Sequence, residues 1–179
     1  MRTHLSKYDN SLYSRGAGNM KCVLWYFTNL LFIKNHWNPL NDLKVAILKL
    51  FGSKIGKGVV IKPGVNIKYP WFLTIGDYSW IGEDVWIDNL AQVTIGLNCC
   101  ISQGALLLCG NHNFRSETFD LIVKPITIED GAWVGAKSVV CPGVTVSEDA
   151  VLAVGSVATT SLDAATIYQG NPAVSKSKR

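Results

Sequence analysis

Aliphatic residues recur at every sixth position between residues 55 and 159, and this spacing is the strongest pattern in the chain. One position of each six is Ile, Leu or Val, and the fifth position is mostly small or β-branched. The register shifts by two residues after Ile67 and again after Ile87, is interrupted once between Leu107 and Ile128, and holds elsewhere. The regular aliphatic positions are Ile55, Ile61, Ile67, Ile75, Ile81, Ile87, Ile95, Ile101, Leu107, Ile128, Val134, Val140, Val146 and Leu152.

A six-residue repeat of this kind is typical of a parallel β-helix. Each six supplies one short strand and one corner, so three of them complete a triangular coil. The aliphatic residue points inward, and the small residue fits the crowded corner. Successive coils pair backbone to backbone at the ~4.8 Å spacing of neighbouring strands. We therefore predict an all-β fold, with a parallel β-helix over residues 55–160.

The repeat is broken once by an insertion. Twenty residues separate Ile55 from Ile75, and twenty separate Ile75 from Ile95, whereas thirty-three separate Ile95 from Ile128, which leaves thirteen extra residues. Insertions in a solenoid form loops on one face, which is often the binding face. We predict that residues 110–125 form this loop.

The chain ends differ from the repeat. Residues 1–54 predict an N-terminal arm and a helical cap, in which residues 1–20 are loosely held. The apolar run 22–33 is too short to span a bilayer, which needs ~20 residues. We expect it to pack over the first coil as a helix or extended segment; the alternative is a peripheral patch resting on a membrane surface.

A short helix should follow the apolar run and plug the end of the coil. We expect Asn41 as its N-cap, an inward face of Leu43, Ile47, Leu50 and Phe51, and a stop at Gly52. At the other end, residues 161–179 predict an extended tail that returns along the outside of the coils.

Composition excludes some classes of protein. A net charge of +4, with Lys176, Lys178 and Arg179 at the C-terminus, is too small and too local for a nucleic-acid binder. Five cysteines without CxxC pairs indicate a reduced, cytoplasmic protein. A zinc-dependent anhydrase needs three histidines on its metal. Since His4 and His36 lie outside the repeat, we predict no metal site.

His112 is the candidate catalytic residue, because it lies in the single insertion and its imidazole can take a proton from a hydroxyl near neutral pH. The alternative is an ordinary polar loop residue. Asn111, Asn113, Glu117 and Asp120 are all candidates to fix its tautomer. Cys109 is a weaker candidate nucleophile, since it falls in a strand without an activating charge.

Several phrases resemble a known family. The coils, the loop with Gly110–His112 and the closing Gly170–Ala173 (GNPA) resemble the hexapeptide acetyltransferases that use acetyl-CoA. WIGEDVWIDNL, KPITIEDGAWVGAKSVVCPGVTV and IYQGNPAV closely resemble the colanic-acid biosynthesis acetyltransferases of the WcaF type, over roughly residues 20–175. The resemblance implies a left-handed β-helix, a homotrimer, and transfer of acetyl from acetyl-CoA to a sugar hydroxyl with His112 as general base.

The resemblance also implies binding residues, with the coenzyme in a groove between neighbouring subunits. Its implied contacts are Trp133, Gly135, Ala136, Val154, Gly155, Thr159, Thr160, Gly170, Asn171, Pro172, Ala173 and Lys176. Asp88, Asn89, Asn111 and Asn113 are the candidate contacts of the acceptor. The chain departs from the family at Thr160 and Val174, where relatives often have a basic residue. We expect Lys176 and Lys178 to bind the coenzyme phosphates instead; the alternative is that both belong to a disordered end.

The acceptor stays open at this stage. An exopolysaccharide precursor is implied by the resemblance, with lipid-linked saccharides at the inner face of the membrane and other small hydroxyl compounds as further candidates. A β-helix scaffold or binding protein that has lost catalysis is the alternative function.

Overall fold

A three-sided coil of parallel strands forms the body of the molecule in the computed structural model, which describes residues 2–179. The first side contains β1 (Lys54–Ile55), β4 (Leu73–Ile75), β7 (Val93–Ile95), β12 (Ile126–Ile128) and β15 (Thr145–Val146). The second contains β2 (Val60–Ile61), β5 (Trp80–Ile81), β8 (Cys100–Ile101), β13 (Trp133–Val134) and β16 (Val151–Leu152). The third contains β3 (Asn66–Ile67), β6 (Trp86–Asp88), β9 (Leu106–Leu108), β14 (Val139–Val140) and β17 (Val157–Ala158).

The six-residue register places one aliphatic side chain of each strand inside the coil. On the second side, Ile81 lies against Ile101, which lies against Val134 in the next coil. All three are buried, as are the corresponding residues of the other two sides. Because burying one such side chain contributes about 1.5–3 kcal/mol, the column is the main source of stability. The predicted parallel β-helix is confirmed.

The small residues of the repeat lie at the corners, where coils approach closely. The Ser79 hydroxyl donates to the carbonyl of Gly96 at 2.7 Å, and Ser138 does the same to Ala153 at 2.8 Å. A Cβ on Gly76 would lie 2.6 Å from the carbonyl carbon of Gly96, so a larger residue has no room there. Corner residues therefore join the coils by hydrogen bonds as well as by fit.

Helix α2 (Asn41–Leu50) covers the open N-terminal end of the column with a face that matches the predicted one in part: Ile47 and Phe51 pack on the core as predicted, whereas Leu43 is exposed. Leu48 is fully buried, and the amine of buried Lys44 donates to the carbonyl of Ile61 at 3.2 Å, whereas Leu50 is exposed. Asn41 is the first helical residue rather than a side-chain N-cap. Its side-chain amide bonds the backbone of Val59 and Ile61, with a longer contact of 3.4 Å to the carboxylate of Asp42, so it joins the helix to the coil and does not cap the helix backbone.

The apolar run forms helix α1 (Asn19–Thr28), which continues as a π-helical turn, Asn29–Ile33. Trp25 packs on the first coil and donates its indole N–H to the carbonyl of Ile67 at 2.9 Å. No helix in residues 2–179 is both long and apolar enough to cross a membrane.

The N-terminal arm lies across the coil edge, where we had expected a loosely held segment. The arm contains a short 3-10 helix, Leu5–Lys7. It crosses a corner of the first coil, where Pro70–Phe72 form a second 3-10 helix. The backbone N–H of His4 donates to the carbonyl of Glu117, and the carbonyl of Arg15 accepts the indole N–H of Trp71. The arm is thus joined both to the insertion and to the first coil.

The C-terminal tail extends one side of the coil instead of returning along its outside. Strand β18 (Thr166–Gly170) pairs in parallel with β16, and β19 (Ala173–Lys178) folds back antiparallel on β18. We predicted an outward path from Pro172 and Gly170. The tail instead pairs with the last coil, because this pairing satisfies the backbone groups of an edge that would otherwise be open.

We expect Ile101→Ala to lower the free energy of unfolding by about 2–5 kcal/mol, because it leaves a cavity in the middle of the column. Urea denaturation at one fixed protein concentration measures this. Leu97→Ala is the matched control, since Leu97 is 43% exposed on the same coil and its truncation should change stability by about 0.5 kcal/mol or less. Equal losses for the two variants would contradict the importance of the column.

Candidate functional site

The thirteen-residue insertion forms a two-stranded hairpin, β10 (Gly110–His112) and β11 (Leu121–Val123), in which His112 pairs with Leu121. The backbone N–H of Asn113 donates to the carbonyl of Asp120 at 2.8 Å and closes the turn. Within the turn, hydrogen bonds from the hydroxyls of Thr118 and Ser116 lower the pKa of Asp120. The carboxylate of Asp120 therefore stabilises the turn and does not contact His112.

Phe119 holds the imidazole of His112 in two ways. Its carbonyl oxygen lies 2.8 Å from Nδ1, and its ring stacks on the imidazole with centroids 4.4 Å apart and planes 4° apart. A carbonyl oxygen can only accept, so Nδ1 must carry the proton in the neutral ring. Nε2 then has a free lone pair, and it has no hydrogen-bond partner within residues 2–179. This is the tautomer that a general base needs.

The backbone of Phe119 is in an unusual conformation. Its φ is +54°, in the left-handed region that a bulky aromatic residue rarely adopts. Such conformations persist where the surroundings enforce them, and they concentrate at functional sites. Here the conformation belongs to a residue that presents both its carbonyl and its ring to His112. None of the four residues we considered for this role holds the imidazole.

A cavity of about 680 Å³ opens at His112 between the hairpin, the coil edge and the arm. The arm contributes residues that we did not predict: Tyr8, whose ring centroid is 5.6 Å from that of His112, and Tyr13 and Arg15. The Tyr13 hydroxyl donates to the carbonyl of Leu90 at 2.8 Å, and burial raises the pKa of Tyr13. Its aromatic ring therefore stays as a neutral wall of the cavity.

Of the four residues predicted to contact the acceptor substrate, Asp88 lines this cavity together with His112. It is nearly buried, and its Oδ1 is paired with the amine of Lys68 at 2.9 Å. A buried carboxylate needs such a partner, because an unpaired buried charge is costly. Since no other ion pair to Asp88 forms within residues 2–179, its carboxylate can also accept a hydrogen bond from a hydroxyl in the cavity.

The other predicted acceptor residues lie elsewhere. Asn89 is fully buried, and its side-chain amide bonds both the N–H and the carbonyl of Tyr69, at 3.0 and 2.6 Å, so it joins adjacent coils. Asn111 alternates with His112 along β10, and Asn113 accepts from the backbone N–H of Arg115 in the turn. The cavity lining includes none of these three.

Cys109 precedes the hairpin and is fully buried. Burial raises its pKa to about 11, so the thiol is protonated at neutral pH. Since the thiolate is the nucleophile, the structure gives Cys109 a packing role.

The residues predicted for the coenzyme lie at two corners of the last coils. Gly135, Ala136, Val154 and Gly155 stack at the corner after the second side, where the N–H of Gly155 donates to the carbonyl of Ala136 at 2.9 Å. Residues 170–173 join this corner, because the N–H of Gly170 donates to the hydroxyl of Ser156 at 3.0 Å. These residues do not line the cavity at His112.

The remaining predicted coenzyme residues lie to either side of that corner. Thr159 and Thr160 follow β17 and are exposed, and Trp133 is partly exposed on the second side, with its indole N–H donating to the hydroxyl of Ser102. Lys176 is exposed on β19 and, among the described residues, makes no hydrogen bond or ion pair.

The described residues contain no group of three or more His, Cys, Asp or Glu side chains placed to hold a metal ion. His4 lies near Glu117, and Nε2 of His36 lies 2.6 Å from the carboxylate of Asp84. The three histidines are thus engaged at separate places.

The chain is similar to known acetyltransferases, although no protein-family model matches it. It is 40% identical over 162 residues to a putative colanic acid biosynthesis acetyltransferase, WcaF, of Escherichia coli K12, which covers 89% of this chain and 88% of that one. It is 26% identical to the galactoside O-acetyltransferase of the same organism over 80% of this chain and 72% of the other. A Vibrio cholerae hexapeptide-repeat acetyltransferase solved with acetyl coenzyme A superposes with a TM-score of 0.81, 23% identity and 98% coverage of both chains.

We expect nitrogen-15 NMR of the folded protein to show the neutral Nδ1–H tautomer for His112, because the carbonyl of Phe119 accepts from Nδ1. His36 provides an internal control. Its Nε2 faces a carboxylate and should carry the proton, so its spectrum should be the reverse. An Nε2–H tautomer at His112 would contradict the arrangement described above.

Proposed function

Because this chain belongs to the WcaF-type family of hexapeptide-repeat acetyltransferases, we propose that it transfers an acetyl group from acetyl-CoA to a hydroxyl of a sugar, with His112 as the general base. The observation that carries the proposal is the held imidazole: Nδ1 is engaged by the carbonyl of Phe119, and Nε2 is free beside a cavity that admits a sugar ring.

The proposed step needs no covalent bond to the enzyme. Nε2 of His112 takes the proton of the acceptor hydroxyl as its oxygen bonds to the acetyl carbonyl carbon. The carbon–sulfur bond of the thioester breaks, and the proton passes from the imidazole to the departing thiolate. The products are the sugar ester and free CoA thiol. Positioning two substrates together supplies much of the rate in such a reaction.

The cavity residues support a sugar as the acceptor. Asp88 presents a carboxylate that Lys68 holds in place, Lys68 and Arg15 supply donors, and Tyr8 and Tyr13 supply flat apolar walls. A sugar ring has hydroxyls around its edge and an apolar face, so this mixture of groups suits it. The relatives named for colanic acid and for galactosides point to the same class of acceptor.

Acetyl-CoA supplies the activated acetyl group in this proposal. The residues predicted to bind it form an open surface on which a long ligand could lie: Val154 is exposed, and a Cβ on Gly155 would meet nothing within 4 Å. The free amine of Lys176 is available for a phosphate.

We further propose that the working unit is a homotrimer in which His112 of one protomer faces the coenzyme groove of its neighbour. The separation of the His112 cavity from Ala136 and Gly155 within one chain supports this proposal.

We expect His112→Ala to lower kcat by about 10²–10⁴-fold, because the acceptor hydroxyl loses its base. Release of CoA thiol from acetyl-CoA in the presence of candidate sugars and lipid-linked saccharides measures the rate. Cys109→Ala is the control, and it should stay within a few-fold of wild type after correction for the folded fraction. A His112→Ala enzyme that retains its rate would reject the general base, and wild-type protein that acetylates no hydroxyl compound would reject the function.

We expect mixed trimers of two inactive chains to recover activity. His112→Ala and Ala136→Trp each disable all sites of their own homotrimer, but any mixed trimer contains one site with both residues intact. Differently tagged chains, co-expressed and purified as heterotrimers, should show about one third of the wild-type rate. Inactive heterotrimers would show that one chain provides the whole site.

A further inference from the structure

The outward face of helix α1 and its π-helical turn is apolar. Six large side chains on it are between 40% and 58% exposed. We call this set the apolar platform: Val23, Leu24, Phe27, Leu30, Leu31 and Phe32. A contiguous exposed patch of this kind is uncommon on a protein surrounded by water and marks a contact surface.

Of the polar residues in this segment, Asn29 faces the coil, whereas Thr28 bonds its own helix and lines a groove beside Leu24. The side-chain amide of Asn29 donates to that of Asn66 at 2.8 Å, and the hydroxyl of Thr28 donates to the carbonyl of Leu24. Only Trp25 and Ile33 of the apolar residues are buried against the coil. A surface helix normally has the reverse arrangement. The outward apolar side chains are therefore not needed to hold α1 on the coil.

Helix α2 enlarges the platform. An open groove of about 640 Å³ runs between the two helices, where Leu24 and Phe32 face Leu43 and Leu50. Leu50 is 83% exposed at the end of α2. The groove and the platform form one apolar surface at the N-terminal end of the column.

The charged residues around this surface are mainly basic. Residues 10–50, which include both helices, contain one acidic residue, Asp42, and five basic ones, Arg15, Lys21, Lys34, Lys44 and Lys49. Lys21 lines the groove beside Leu24, and Lys34 lies beside Leu30. The amine of Lys21 lies 4.9 Å over the ring of Trp71, but neither lysine forms an ion pair within residues 2–179, so no acidic side chain there neutralises either charge.

We propose that the apolar platform, with its basic rim, binds the surface of an anionic lipid bilayer. Apolar side chains enter the headgroup boundary, and the lysines meet lipid phosphates, as in other interfacial helices. A second copy of the chain is a poorer occupant, because two such platforms placed face to face would oppose their positive rims. The helices lie on the surface and do not cross it.

The platform is connected to the His112 cavity. A second groove, lined by Val23, Phe27 and Leu30, shares Arg15, Lys68 and Tyr69 with that cavity. Binding at the platform therefore brings the cavity mouth to the level of the lipid headgroups. An acceptor held in the membrane could enter from that side.

Co-sedimentation of the full chain with lipid vesicles tests the proposal. We expect roughly tenfold more protein on vesicles containing phosphatidylglycerol than on pure phosphatidylcholine at low salt, and a decrease in high salt. Phe27→Asp with Leu31→Asp should abolish binding. Leu12→Asp with Leu97→Asp adds the same charge at exposed apolar positions elsewhere, and should bind like wild type.

A second variant keeps the test independent of the apolar substitutions. Lys21→Gln with Lys34→Gln retains the platform, and should lose roughly tenfold in binding to the anionic vesicles only. Circular dichroism before each assay verifies that the variants fold. Wild-type protein that stays in the supernatant with both vesicles overturns the proposal. So does a Phe27→Asp, Leu31→Asp variant whose molecular mass by light scattering falls below that of wild type, since the platform would then be a protein interface.

Discussion

The inward stacking of one aliphatic side chain per strand is the constraint on which the rest of the molecule depends. A coil of this kind satisfies its backbone only by pairing with the coils above and below, so every turn must keep the same register. The two ends of the column cannot pair in this way and must be covered. Helix α2 covers one end, with the Lys44 amine on the carbonyl of Ile61, and β18 with β19 covers the other.

Much of this architecture could be predicted, because the six-residue period results from local packing that each repeat imposes on the next. Ile81, Ile101 and Val134 lie where the count places them. The same count located the insertion and hence His112. Residues whose partners are distant in the sequence could not be predicted. Asn89 bonds Tyr69 in the previous coil, and Asn41 bonds the backbone of the coil and does not cap its own helix.

The residues that line the cavity were also hard to predict, because their partners are distant in the sequence. The backbone N–H of His4 donates to Glu117, more than a hundred residues later, and no local pattern in residues 2–18 indicates that contact. The role of Phe119 depends on a positive φ and on the direction of a carbonyl, and neither has a signal in the residue type. Aromatic residues ordinarily indicate packing, so a search restricted to polar side chains passes over this one.

A neutral carbonyl, and not a carboxylate, orients the imidazole. This fixes the tautomer of His112 without adding a charge behind it. The charge of the cavity comes instead from Arg15 of the arm and from the pair Asp88 and Lys68, which lies on the coil edge and is placed by the repeat. The imidazole and the charged pair are thus positioned by different parts of the chain.

The hairpin joins the column at a single corner and has no partner strands above or below it. The length of the hairpin is therefore not fixed by the register that every coil must keep. Residues gained or lost in its turn would reshape the entrance without shifting any layer of the core. In descendants of this fold, the choice of substrate and the durability of the body can consequently change at separate rates.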